Sequence, residues 1–327
     1  MFSTEHGVSA EVLMILKRAI LLTLVFFAAC QKESTPPPGP EMKEGTPPMP
    51  MTTDGTAATS QPKTISGFQT PESVLYDPDQ DVYLVSNING QPLAADDNGF
   101  ISRVNPETLQ VDLKWIDAAK PDIILNAPKG MAILGDDLYV ADLSVVRKFD
   151  RKTGQPKGEV AIPGSTFLND VASDGKAIYV TDTGMKAGAG GNFEPTGTDA
   201  VWKIVADKPQ KIASGSDLDR PNGVEIVDGK VWVVSFGANE LYQVDKGKKT
   251  NVSKLPKGSL DGLVHLSDGS FLVSSWDGKA VYRGKNNSFQ TVVENVDSPA
   301  DIGYDTKRHR LLIPHFMENV VSIHEVQ

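Results

Sequence analysis

Pro221-Asn222-Gly223-Val224-Glu225-Ile226-Val227-Asp228-Gly229-Lys230-Val231-Trp232-Val233-Val234 is a pair of apolar runs joined by Asp-Gly. Such a pair between two apolar runs is a strong hairpin signal, because the tight turn needs positive φ and these residues adopt it at low cost. A third run, Leu241-Tyr242-Gln243-Val244, follows. The same order recurs behind Pro71-Glu72-Ser73-Val74, Pro128-Lys129-Gly130-Met131, Leu168-Asn169-Asp170-Val171, Leu260-Asp261-Gly262-Leu263 and Pro299-Ala300-Asp301-Ile302. The register positions Glu72, Lys129, Asn169, Asn222, Asp261 and Ala300 are spaced by 57, 40, 53, 39 and 39 residues. A period near forty with about four strands per unit is the signature of a propeller blade. The two long intervals contain insertions rich in Gly, Asn and Pro, Asn89 to Gly99 and Thr183 to Asp199. Both follow the second strand of their repeat, so they are expected on one face.

Six repeats predict an all-β, six-bladed β-propeller of four-stranded blades around a central channel, spanning 62–327. Each repeat must stack on its neighbours, since it cannot bury its own apolar faces. The last repeat ends in Val320-Val321-Ser322-Ile323 and lacks an outer strand. Lys63–Ser66, just before the first repeat, is placed to supply it and close the ring without an exposed edge. No helical periodicity interrupts the pattern.

The 327 residues carry a formal net charge of -10. Lys246, Lys248 and Lys249 crowd around Gly247 as a solvated hairpin tip, and no basic stripe suited to tracking phosphates exists. Nucleic acid is therefore not expected as a partner. Lys17-Arg18 precede an apolar run from Ala19 to Ala29 that ends Phe27-Ala28-Ala29-Cys30. A positive start, a short apolar stretch and small residues form a secretory signal, too short to span a bilayer comfortably. Met14 makes a better-proportioned start than Met1. With the one cysteine of the chain directly after the small residues, 1–29 resembles a bacterial lipoprotein signal peptide. The resemblance implies lipidation of Cys30 and a membrane anchor in the cell envelope. In a Gram-negative cell, Gln31 implies sorting to the outer membrane, facing the periplasm or surface. Residues 30–61 are dominated by Pro, Thr, Ser and Gly and read as an extended tether.

In a propeller the first strand of each blade lines the channel, so equivalent positions at its start converge on the axis. Four of the six are oxygen donors: Glu72, Asn169, Asn222 and Asp261. Two carboxylates balance a divalent charge and two amides add neutral oxygens, which suits a hard cation, with Ca2+ the first candidate. The thiolate and histidine clusters expected for zinc are missing. Lys129 and Ala300 break the ring and leave it lopsided, with room for a small-molecule substrate. Second-strand ends Asn87, Asp142, Asp182, Phe236, Trp276 and His315 are expected on the same rim. Asn87, Asp182 and Trp276 are the expected substrate contacts there. His315 is a proton donor or orienting group, and Asp170 a general base. Gly188-Ala189-Gly190-Gly191 lacks a Gly-Lys-Ser/Thr ending and reads as a rim loop rather than a phosphate cradle.

Pro71-Glu72-Ser73-Val74-Leu75-Tyr76-Asp77, Asn169-Asp170, Pro221-Asn222-Gly223 and Leu260-Asp261-Gly262 resemble the SMP-30/gluconolactonase/luciferin-regenerating family. They are also similar to the calcium-dependent phosphotriesterases of the diisopropylfluorophosphatase type. The resemblance covers residues 65–326. It implies that Glu72, Asn222 and Asp261 hold the metal, that Asn169 joins the shell or touches substrate, and that Asp261 is a possible nucleophile or base. Sugar-lactonase members carry Arg two residues before the Asn of the third blade, where this chain has Phe167, and Glu-Gly-Pro where it has Glu72-Ser73-Val74.

Two functions remain open at this level. One is a monomeric, calcium-dependent hydrolase of a lactone, ester or phosphotriester. The other is a non-catalytic, calcium-stabilised propeller lipoprotein that binds a partner through its rim loops.

Overall fold

A computed structural model describes residues 62–189 and 192–326. The expected signal sequence 1–29, the expected tether 30–61 and Cys30 lie outside the described residues. No helix among the described residues is long and apolar enough to cross a membrane.

Six four-stranded antiparallel sheets follow one another as blades. Their inner strands are Pro71–Asp77, Pro128–Leu134, Leu168–Ser173, Pro221–Val227, Leu260–His265 and Gly303–Asp305. Each neighbours the next around a ring, and the last returns to the first. The closure is bonded directly: Val74 N donates to Asp301 O at 3.3 Å and Asp301 N to Glu72 O at 2.9 Å. Lys63–Ser66 pairs antiparallel with Val320–Glu325, as the sequence predicts, and completes the sixth blade.

Period-two alternation explains why blades stack. In the second strand of blade one, Leu84 faces blade two, joining Ile101, Leu138, Val140 and Phe149 in one core cluster. Tyr83 and Val85 face the other way, toward Leu312, Val321 and Ile323 of blade six. The second strand of blade five divides likewise, Phe271 and Val273 toward blade four and Leu272 toward blade six. A strand buried on both faces reads as a continuous apolar run, as these do, and each fully buried side chain of this size contributes roughly 1.5–3 kcal/mol. Inner strands approach so closely near the axis that Gly130, Gly223, Gly262 and Gly303 have no room for a side chain. A Cβ on Gly223 would lie 2.3 Å from Asp261 O, and one on Gly262 2.3 Å from Ile302 N.

The pairing register of the first five inner strands shifts just after their first residue, between Pro71 and Ser73, Pro128 and Met131, Leu168 and Val171, Pro221 and Val224, and Leu260 and Leu263. Bulges of this kind bend the strand and re-aim side chains. In three blades a hydroxyl on the second strand satisfies the displaced backbone. Ser86 Oγ accepts from Ser73 N at 2.9 Å, Thr181 Oγ1 from Asp170 N at 3.0 Å and Ser274 Oγ from Gly262 N at 2.7 Å. Two of these hydroxyls donate onward to the next blade, Thr181 to Asn222 O at 2.7 Å and Ser274 to Ala300 O at 2.8 Å.

Both insertions reach the same end of the channel, as expected. Gly90, Gln91 and Pro92 from the first, and Thr183, Met185 and Phe193 from the second, line one cavity. The second forms a small hairpin, Met185–Ala187 paired with Phe193–Pro195.

Candidate functional site

The bulged starts of the inner strands deliver Glu72, Lys129, Asn169, Asn222 and Asp261 to the floor of a cavity of about 550 Å³ at the axis. All five are buried, between 1% and 6% exposed. Burial pushes the Glu72 carboxyl well up, and the nearby charges of Asp261 and Asp301 push it the same way. Burial and then Asp301 raise Asp261 to about 8, against the Trp276 hydrogen bond.

Polar groups this deep normally have partners. Among the described residues, five buried side-chain N or O atoms have none, and three of the five are Glu72 Oε2, Asn222 Oδ1 and Asp261 Oδ1. Two other atoms of the set are held by the protein. Trp276 Nε1 donates to Asp261 Oδ2 at 2.7 Å, and Asn169 Nδ2 donates to Thr183 Oγ1 at 3.0 Å. Three orphaned oxygens on one cavity floor, two from carboxylates and one from an amide, fit a hard divalent cation. The described residues contain no cluster of three or more His, Cys, Asp or Glu suited to a metal. The donor set is instead two acids with amides, poor in charge and free of soft ligands.

Lys129 is the residue that sequence reasoning passed over. It occupies the equivalent ring position in blade two and is 1% exposed. Its ammonium donates to Ala127 O at 2.9 Å and lies 4.7 Å from the centre of the Phe167 ring. Burial lowers its pKa to about 8, with Glu72 and Asp142 opposing the shift. The walls above are apolar. Trp276 packs against Phe236 at 6.0 Å and Phe316 at 5.3 Å, and Phe167 stacks on Phe193 at 6.2 Å. The expected wall residue Trp276 thus lines the cavity and also orients Asp261.

Four other expectations need correction. Asn87 is not on the cavity: its Oδ1 accepts from Gln69 N at 2.9 Å, and its Nδ2 donates to Val85 O and Ser102 Oγ. Asp182 accepts from the backbone N–H groups of Thr166, Phe167 and Gly184. Both cap the loop that enters their blade, and Asp142 does the same for Asn126 and Ala127. His315 pairs through Nδ1 with Glu318 Oε2 at 2.7 Å and through Nε2 with Ser322 Oγ at 2.8 Å, within its own blade and away from the cavity. Asp170 spends both oxygens on backbone, accepting from Val171 N at 2.6 Å and Val224 N at 2.7 Å. It lines a second cavity with Ser73, Glu225 and Asp301, where the other cavity's floor residues do not reach. For Asn87, Asp182 and Asp170, the signal that separates them from the axial donors is a backbone amide within reach, which a residue type does not announce.

No protein-family model matches this chain, and no curated protein does. Solved structures do. A gluconolactonase from Xanthomonas campestris superposes with a TM-score of 0.62 at 17% identity, over 82% of this chain and 91% of that one. A luciferin-regenerating enzyme gives 0.57 at 11% identity, over 81% and 95%. A nidogen/laminin complex gives 0.55 at 13% identity, over 68% and 80%. At these identities the likeness is one of fold, and it is to a propeller shared by enzymes and by an assembly of binding proteins.

Proposed function

We propose that this chain is a divalent-cation-dependent hydrolase of an ester, lactone or phosphotriester, with calcium the first candidate ion. The observation that carries the reading is the set of unpartnered buried oxygens of Glu72, Asn222 and Asp261. With Asn169 they would hold the ion, whose chemistry when bound is to polarise a carbonyl or phosphoryl oxygen. Asp261 is fixed by Trp276 through one oxygen, which leaves the other toward the cavity as ligand and as the candidate nucleophile or base. The apolar walls lower the effective dielectric around the floor, which strengthens charge interactions there. Asp170 and His315 have no part in this mechanism, since neither reaches the cavity. The gluconolactonase and luciferin-regenerating folds support the hydrolase class. We further place the domain outside the cytoplasm, tethered through a lipid on Cys30 and monomeric.

Calcium titration by calorimetry on the full chain, beside Glu72→Gln and Asp261→Asn, tests the site. One binding event lost in both variants is expected, and absence of binding by the wild type overturns the metal reading. A panel of esters, lactones and phosphotriesters then tests turnover. Intact calcium binding with no turnover, matched by Asp261→Asn, would leave a propeller that binds a partner through its rim.

A further inference from the structure

The residues around the metal ligands narrow the substrate, given the reading of the site above. A polyhydroxylated substrate needs many hydrogen-bonding partners, because each buried hydroxyl left unpaired is costly. Above the floor the cavity offers chiefly Ile88, Phe167, Phe236, Trp276, Phe316 and Met317; of its uncharged polar residues there, Thr183 and Asn319 already bond within the protein, leaving Thr70 and Gln91. Its charged lining residues are Glu72, Asp261 and Lys129. Two carboxylates balance a divalent cation, so the Lys129 ammonium is the surplus charge. Its single protein hydrogen bond, to Ala127 O, leaves donor capacity. The Phe167 ring covers one side of the ammonium, 4.7 Å away.

We propose that the cavity takes a neutral ester, open or cyclic, with an apolar acyl or aryl body, and that Lys129 is the specificity-determining cation that receives the negative oxygen formed on hydrolysis. The body packs on Phe167, Phe236, Trp276 and Phe316. Water's oxygen bonds to the acyl carbon and the acyl C–O bond breaks. The departing oxygen takes one water proton, and the acid releases the other to solvent and remains as the carboxylate. That carboxylate is the species Lys129 retains most strongly, so product-like anions report the assignment without turnover. A charge-assisted hydrogen bond in a buried site is worth about tenfold or more in affinity.

The test is equilibrium binding of octanoate, octanol and gluconate to the full chain, with and without calcium, for the wild type, Lys129→Met and Phe167→Ala. Octanoate is expected to bind at least about tenfold more tightly than octanol or gluconate. Lys129→Met should remove about that tenfold for octanoate and leave octanol unchanged, which also certifies that the variant is folded. Phe167→Ala should weaken octanoate and octanol alike. Gluconate binding as tightly as octanoate overturns the apolar seat, and octanoate insensitive to Lys129→Met overturns the role of the lysine. A chain that shows no calcium binding would sink the metal reading, and a Lys129-dependent preference that persists there would keep Lys129 as the anion-binding group without the surplus-charge argument. Calcium binding with no such preference would sustain the metal reading and sink this inference.

Discussion

The indole Nε1 of Trp276 donates to Asp261 Oδ2 at 2.7 Å while Asp261 Oδ1, buried on the same cavity floor, has no partner. A ligand carboxylate held by one oxygen presents the other in a fixed direction, and loss of such an orienting partner typically costs 10–100-fold in metal affinity. Trp276→Phe keeps the ring packing on Phe236 and Phe316 but removes the donor. We expect calcium affinity to fall by about 10–100-fold in calorimetry with near-UV circular dichroism otherwise native. An unchanged affinity would show that the bond serves packing alone.

If calcium binds as proposed, its removal should be felt by the whole domain, because the proposed ligands come from four different blades. Calcium at a hundredfold excess over its dissociation constant should raise stability by about 2.7 kcal/mol. Thermal melts with calcium and with a chelator should differ accordingly for the wild type and coincide for Asp261→Asn. The variant without calcium should be no less stable than the wild type without calcium, since the amide keeps an acceptor for Trp276 and replaces a carboxyl whose ionised form burial penalises.

Glu225 belongs to the cavity at the other end of the channel, beside Asp170 and Asp301. Burial raises its carboxyl to about 7, Asp301 adds to the rise, and the Ile226 N–H opposes it. A carboxyl with a raised folded pKa favours folding while protonated. Its contribution is fully present below the unfolded value near 4.5 and is lost as pH rises through 7. Denaturant titrations from pH 5 to 8 should therefore show Glu225→Gln gaining on the wild type with rising pH, on the order of 1–2 kcal/mol. A pH-independent difference would remove Glu225 from the balance.

Ser274 Oγ accepts from Gly262 N at 2.7 Å and donates to Ala300 O at 2.8 Å, so one hydroxyl serves a bulge and the seam between blades five and six. Ser274→Ala leaves both backbone groups buried and unpaired, at a cost of about 1–3 kcal/mol. Thr181→Val should cost a similar amount, because Thr181 Oγ1 plays the same part for Asp170 N and Asn222 O. Chemical denaturation measures both, and losses under about 0.5 kcal/mol would mean that the bulges need no hydroxyl.

Deletion of residues 62–66 removes the strand that pairs with Val320–Glu325 and exposes its edge. The expected outcome is a lower melting temperature together with self-association by light scattering, since an unpaired edge templates pairing with another chain. A monomeric variant with wild-type melting would show that the closing strand is dispensable.

The propeller was legible from hairpins such as Ile226-Val227-Asp228-Gly229-Lys230-Val231. Turn chemistry and two-residue alternation are local, and a forty-residue period repeats them until only a ring of blades can bury the faces. The ring register was legible for the same reason, because Glu72, Asn169, Asn222 and Asp261 hold one position in successive repeats. Closure by Lys63–Ser66 followed from counting strands.

The rim was not legible. Asn87, Asp142 and Asp182 carry the same kinds of oxygen as the axial donors, yet they lie where loop amides meet them, so those oxygens are turned to the backbone rather than to the cavity. Asp170 is one residue from Asn169, and a bulge sends the two side chains to different cavities. Lys129 reads as a break in the donor pattern, but in the folded ring it is a buried ammonium beside Phe167. The repeating sequence determined the blades, their number and the ring of first-strand positions, because those depend on short-range periodicity. Tertiary structure alone decided which polar side chains stay unpaired at the axis, because that depends on which backbone amides and aromatic faces five different blades bring within hydrogen-bonding reach.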